Sequence, residues 1–404
     1  MARTSLFRNR TFLVVWVGQT VSMIGDILFG LALMWWVVET TGSGLAMSAS
    51  ALASGLPRIL LGPFAGVLAD RFDRRNLMFA TNAVGALITL SMVFLYVNGI
   101  FSLGLIIGAA AALGATAAVH SPCFEATIPS IVDATDLTRA NSLFQTSRSV
   151  AGIVAPAVSG IIIAVFGIGA SIFIDSLTFI FAGLSLLLVS LPSPKVVSQQ
   201  GLLRQSTEGF RFIFDRRLLF SMLLFFAVIN LTLAPLGIAL PMLILQVMAA
   251  GPALYGTFGS SQSLGVLVGS SLLTAFPRLS RNCGLLVVIC IITGGASIMV
   301  LGLWPNPMVL IGAGFFLGFS IVIAQISSQY IWQRETPDEV RGRVFAARFT
   351  FSAALQPVGL GVAGPVIDLI GPARLLSLGG GLCAACGFLG FLVPGLVSYK
   401  QATE

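Results

Sequence analysis

Twelve stretches of about twenty apolar residues, separated by short turns, leave this chain few ways to fold. They run near 11–39, 45–69, 76–98, 102–122, 138–166, 169–191, 218–248, 253–276, 283–303, 307–332, 340–369 and 373–397. Backbone in hydrocarbon must satisfy its own hydrogen bonds, so each run reads as a membrane-spanning helix. Of the 404 residues, 56% are hydrophobic and only 9% charged, and the mean hydropathy is +0.98. The 44 glycines suit helices that meet in lipid through small residues.

The few basic residues orient the bundle. Arg3, Arg8 and Arg10 precede the first span, Arg71, Arg74 and Arg75 follow the second, and Arg139 lies between the fourth and fifth. Lys195, Arg204, Arg211, Arg216 and Arg217 fill the central loop; Arg278, Arg281, Arg334, Arg341, Arg343 and Lys400 follow. All fall on one side, and Arg374 alone lies near the other. An even number of spans with both termini cytoplasmic is therefore expected, in a bacterial plasma (inner) membrane. Met1–Arg10 leads into a run too long for a cleavable signal.

The net charge of +7 is spread over short loops, with no long basic face, so no nucleic-acid partner is expected. The five cysteines suggest neither disulfides nor a metal site: Cys383 and Cys386 form a CxxC inside an apolar helix with no histidine near it. The sequence contains no phosphate-binding P-loop, zincin pair or nucleophile elbow, so neither an enzyme nor direct use of ATP is expected. The energy then comes from an ion gradient, most economically protons, with no cofactor.

The longest loop falls near the midpoint and divides residues 1–191 from 218–404, with 192–217 between them. The halves echo one another. Phe7-Arg8-Asn9-Arg10 corresponds to Phe214-Asp215-Arg216-Arg217, and Leu143-Phe144 with Pro156 repeats the spacing of Val344-Phe345 with Pro357. The expected fold is all-α: twelve transmembrane helices in two pseudo-symmetric six-helix bundles, with a substrate site between the halves near the midplane.

Gly66-Val67-Leu68-Ala69-Asp70-Arg71-Phe72-Asp73-Arg74-Arg75 places two carboxylates and three arginines in one tight turn. The turn resembles the loop signature of the major facilitator superfamily, with Asp73 where the family usually has a second glycine. Trp16-Val17-Gly18-Gln19, Glu39-Thr40-Thr41-Gly42-Ser43, His120-Ser121-Pro122 and Arg341-Gly342-Arg343-Val344-Phe345 resemble its drug-efflux branch, which includes macrolide and siderophore exporters. The resemblance implies the major facilitator fold. It also implies a conformational gate at Gly66, Asp70, Arg71, Arg74 and Arg75, with Asp70 near the N-terminus of the eleventh span, where the helix dipole favours an anion. The arginines would pair with carboxylates or lipid phosphates, or serve only as topology determinants. Antiporters of the family carry a glycine-rich fifth span; here Ala151, Ala155-Pro156 and Ser159-Gly160 stand there, which suits antiport or plain helix packing.

Ionisable residues inside spans carry the mechanism, because each needs a partner or a wet cavity. Asp26 lies roughly 24 Å along its helix from Arg10, and Arg58 roughly 18 Å from Asp70, so their depths are similar. Asp26 is expected to be the proton-coupling carboxylate with Arg58 as its charge partner; the alternative is a fixed structural ion pair. Arg148, about 13 Å beyond Arg139, is expected to line a cavity beside Gln145 and Ser149. Asp175 is read as a second titrating group or a polar anchor near the outer end of its span. Arg348 is read as shallow enough to snorkel, and His120 and Glu125 as caps closing the fourth span at the inner surface. Glu39 and Asp368 are placed at outer helix ends, where water solvates them.

Gln19, Trp35, Trp36, Gln145, Asn230, Gln262, Gln325, Gln329, Tyr330 and Gln356 are the expected lining of an amphipathic cavity. Rings with scattered amides suit large hydrophobic molecules better than a sugar. The expected activity is export of amphipathic, macrolide-like molecules by proton antiport and alternating access. The expected partners are that small substrate and membrane lipid, with the chain working as a monomer. The alternatives are a siderophore exporter, favoured slightly by the excess of intramembrane arginines, a lysophospholipid flippase, and a silent membrane scaffold.

Overall fold

A computed structural model describes residues 6–133, 136–191, 210–276 and 279–399. Every regular element among them is helical. The long helices are α1 (Arg10–Thr41), α2 (Gly44–Arg71), α3 (Arg74–Val97), α4 (Leu103–Ile131), α5 (Leu137–Phe166) and α6 (Ile168–Leu187), then α7 (Arg217–Leu233) and a short α8 (Leu236–Met242). There follow α9 (Pro252–Ala275), α10 (Cys283–Leu303), α11 (Pro307–Glu335), α12 (Asp338–Ile370) and α13 (Pro372–Leu389). Most of the expected central loop, 192–209, lies outside the described residues.

Ten of these stretches are long and apolar enough to cross a membrane, so this is a multi-pass membrane protein. α9 and α12 are not among the ten. Glycine, serine and threonine dilute α9, and in α12 the continuously described stretch, Leu355–Ile370, is apolar but shorter than a span. The seventh run is broken where one straight helix was expected. Pro235 cannot donate to the helix ladder, so α7 ends at Leu233, α8 restarts at Leu236 and a π-helical turn, Leu243–Val247, follows. The fourth run differs in the other direction. Pro122 does not end it; α4 continues through Pro122 and Pro129 to Ile131.

The chain divides into two compact units. The first comprises residues 1–41, 49–198 and 251–256. Its helices meet through small residues: a Cβ on Gly18 would stand 2.4 Å from Ser185 Oγ, and one on Gly114 would stand 2.3 Å from the Ser54 carbonyl. Asn9 Nδ2 donates to the Ile131 carbonyl at 2.7 Å, and Arg75 donates to the Leu186 and Leu187 carbonyls at 2.8 and 3.0 Å. Both side chains satisfy carbonyls that a helix end leaves open. Arg74 donates to the Ala126 carbonyl at 2.8 Å. The described hydrogen bonds of Arg74 and Arg75 thus go to backbone carbonyls. The side chains of Gly66, Asp70 and Arg71 lie outside the described residues.

The second unit comprises residues 42–48, 199–250 and 257–404. One close seam joins α10 to α13, where Cβ atoms on Gly295, Gly302 and Gly380 would each fall 2.4–2.5 Å from backbone nitrogen of the facing helix. Only glycine permits that approach. Asp368 is bonded rather than merely solvated: it accepts from the Gly44 and Leu45 amides at 2.6 and 3.1 Å and from the Ser43 hydroxyl at 3.2 Å. It therefore caps the first turn of α2 from α12. At the chain's end, Tyr399 donates to Glu335 Oε1 at 2.7 Å. Burial, and then the bonded carboxylate, push this phenol above its usual range, so it stays a donor at alkaline pH.

Candidate functional site: two unlike cavities

Each unit carries a partly open cavity. In the first unit it measures about 480 Å³ and gathers charged groups from five helices: Asp26 (α1), Arg58 (α2), Glu125 with His120 (α4), Arg148 (α5) and Asp175 (α6). Gln19 and Thr81 line it as well. No helix here is polar enough to hold such groups toward lipid, so they converge on the interior space. Among the described residues the only ion pair is Arg139–Asp136, elsewhere in this unit. Arg58 and Asp26 thus share one cavity and feel each other's charge without forming the contact pair that was one expected reading.

Asp175 sits where the backbone makes room for it. A Cβ on Gly25 would fall 2.5 Å from Asp175 Oδ1 and 2.0 Å from Thr178 Oγ1, so glycine beside Asp26 lets the second carboxyl in. The residue is fully buried. Thr178 Oγ1 donates to Oδ1 at 3.3 Å and also to the Asp175 carbonyl at 2.8 Å, while Oδ2 has no hydrogen-bond partner among the described residues. A buried carboxyl with one weak bond is costly as an anion. Asp175 is therefore packed against α1 at Gly25, beside the residue that carries the Asp26 carboxyl.

His120 lies inside the cavity as well, not at the surface as expected. Its Nδ1 is 2.9 Å from Thr81 Oγ1 and its Nε2 is 2.8 Å from Gln19 Oε1. With the amide oxygen facing it, Nε2–H donates to Gln19, and the neutral ring accepts from the Thr81 hydroxyl at Nδ1. When the ring takes up a proton, Nδ1–H donates instead, and the Thr81 hydroxyl turns to the Met78 carbonyl, 2.9 Å away. The network thus satisfies both protonation states of the imidazole. Trp16 Nε1 donates to Ser147 Oγ at 2.9 Å and holds α1 to α5 beside it.

The second unit's cavity measures about 490 Å³ and is largely apolar. Phe226, Ile291, Leu317 and Phe345 line it, together with the amides Asn230, Gln325 and Gln329 and one charged side chain, Arg348. Arg348 lies about 15 Å along α12 from Asp338 and does not snorkel out. Its Nη1 donates to Gln329 Oε1 at 3.1 Å, and its guanidinium stands 4.9 Å from the Trp332 ring and 5.9 Å from that of Phe345.

Several expected lining residues face neither cavity. Trp35 is buried in helix packing, and Trp36 meets Phe101 edge-on with ring centroids 5.0 Å apart. Gln145 and Gln356 are exposed and line neither of the two cavities. The backbone of Gln262 packs on Gly318, 1.9 Å from where a Cβ would stand, and Tyr330 joins the core around Trp332. Lipid-facing helices are apolar all round, so sequence offers little contrast to show which face an amide takes. His120 was missed because His-Ser-Pro followed by Glu reads as a helix end.

Residues 2–393 match the family described as transmembrane secretion effector, a branch of the major facilitator superfamily. The chain belongs to this family. Macrolide efflux protein A of Streptococcus pyogenes is 27% identical over 386 residues, covering 92% of this chain and 93% of that protein. The multidrug efflux pump Tap of Mycobacterium bovis is 26% identical over 384 residues, covering 90% and 88%. Among solved structures, the nucleoside transporter NupG aligns with a TM-score of 0.73 at 12% identity, over 96% of this chain and all of that one. A bacterial homologue of the iron transporter ferroportin, in an inward-facing state, aligns with a TM-score of 0.70 at 15% identity, over 96% and 99%. These structures establish a major facilitator fold for the family member described here.

Proposed function

We propose that this protein is a secondary exporter of amphipathic small molecules, macrolide-like compounds first among them, driven by proton antiport through twelve spans in two six-helix halves. The supporting observation is the first unit's cavity, where Asp26, Asp175 and a two-state His120 network meet inside helices that cross a membrane. Two carboxyls held close together and away from bulk water resist being charged at once, so gaining or losing one proton changes the field that Arg58 and Arg148 experience. Asp26 is the coupling carboxyl, because it is open to the cavity whereas Asp175 is sealed. Asp175 sets the cost of charging Asp26, and His120 passes protons along the cavity wall.

The relatives that pump macrolides and other drugs support the direction of transport and the cargo class. Reconstitution into liposomes tests the reading. With a pH gradient imposed, a macrolide should move against its own gradient, whereas a catecholate siderophore and a labelled lysophospholipid should not. Gradient-dependent movement of the lipid alone would replace this proposal with a flippase, and movement of none would overturn transport itself.

A further inference from the structure

Arg348 raises a question that the proton cavity does not answer. It is the only charged side chain among the residues lining the second unit's cavity, and no carboxylate lies within 4.0 Å of it among the described residues. A cation enclosed by apolar side chains without a counter-ion is costly to keep. The surrounding contacts hold it in place without neutralising it: an amide oxygen takes one N–H at 3.1 Å, and the Trp332 and Phe345 rings offer π faces. A guanidinium has five N–H donors in a planar fork, so most remain free for a ligand. The amides of Asn230, Gln325 and Gln329 and the Ser320 hydroxyl also line the cavity, and the remaining wall is largely aliphatic and aromatic.

We infer that the second unit's cavity binds an amphipathic carboxylate, with the anionic end on Arg348 and the apolar body among Phe226, Ile291, Leu317 and Phe345. A carboxylate fits better than a phosphate. One planar fork matches two carboxylate oxygens, whereas a dianion calls for further cations that the cavity does not supply. The volume of about 490 Å³ suits a molecule of drug size. This adds a second cargo class to the proposed exporter, distinct from macrolides, which carry a basic amine rather than a carboxylate, and its meaning as cargo rests on the exporter reading. Binding itself needs no gradient, and the two ideas can fail separately.

The test is equilibrium binding to the full chain in nanodiscs, using dansylglycine and its uncharged methyl ester as fluorescent probes. The two share an apolar body and differ in the carboxylate. Dansylglycine should bind at least about tenfold more tightly than the ester, the scale of one charge-assisted hydrogen-bonded contact. Arg348→Gln should remove that difference by weakening only the acid, and Arg348→Lys should restore part of it. Unchanged ester binding in Arg348→Gln shows that the cavity is still folded. Equal affinity for acid and ester in the unaltered protein overturns the inference, as does a preference for the acid that survives Arg348→Gln, or no binding of either probe. If Arg348→Gln weakens acid and ester alike, Arg348 acts through packing and the inference also fails.

Discussion

The two cavities have nearly the same volume and opposite chemistry. The first unit's space holds carboxyls, arginines and a histidine from five helices. The second unit's space is an apolar chamber with one guanidinium. On the proposed reading the difference is a division of labour, in which one unit handles protons and the other offers shape and a single charge to the cargo. Each arrangement follows from where glycine opens a helix. Gly25 admits Asp175 beside Asp26 in the first unit, while glycines in the second draw α10 against α13.

This contrast can be broken by mutation, beginning where the effect should be largest. Asp175→Asn removes the like-charge coupling and should cut gradient-driven transport by at least about tenfold, read as initial rates in liposomes; a normal rate would reduce Asp175 to an anchor. Gly25→Ala drives a methyl into Thr178 and Asp175, and should cost about 1–3 kcal/mol, read as a lowered melting temperature in detergent. An unchanged melting temperature would show that the α1–α6 seam yields. Thr81→Val leaves His120 Nδ1 without its hydroxyl partner and should slow transport several-fold without changing cargo affinity. Loss of affinity instead would make the network part of the binding surface. Asp368→Ala strips the cap from α2 and should cost only about 1 kcal/mol, read by the same melting assay. Tyr399→Phe deletes one hydrogen bond and should have the smallest effect, about 1 kcal/mol or less.

The sequence carried the membrane class and the helical runs, because hydropathy and basic turns respond to the bilayer itself. It also carried Asp26, Arg58 and Arg148, because a charge in an apolar run stands out without knowledge of its neighbours. It did not show that Trp35 is buried in helix packing, since packing decides which way a uniformly apolar helix turns. His120 shows a different limit. Its polar neighbours and Pro122 resemble a helix end, yet α4 runs on because the cavity supplies partners for its polar groups. Arg348 and Asp368 were placed by distance from a helix end, a measure blind to the tertiary partners that hold them.

The central claim, that the first unit couples protons to transport, is tested most directly by comparing two modes in one preparation of Asp26→Asn. In liposomes loaded with macrolide, exchange of labelled for unlabelled substrate needs no gradient, whereas uphill movement does. The account predicts that Asp26→Asn keeps exchange near the unaltered rate and loses uphill movement under a pH gradient. Uphill movement at the unaltered rate in that variant would contradict it.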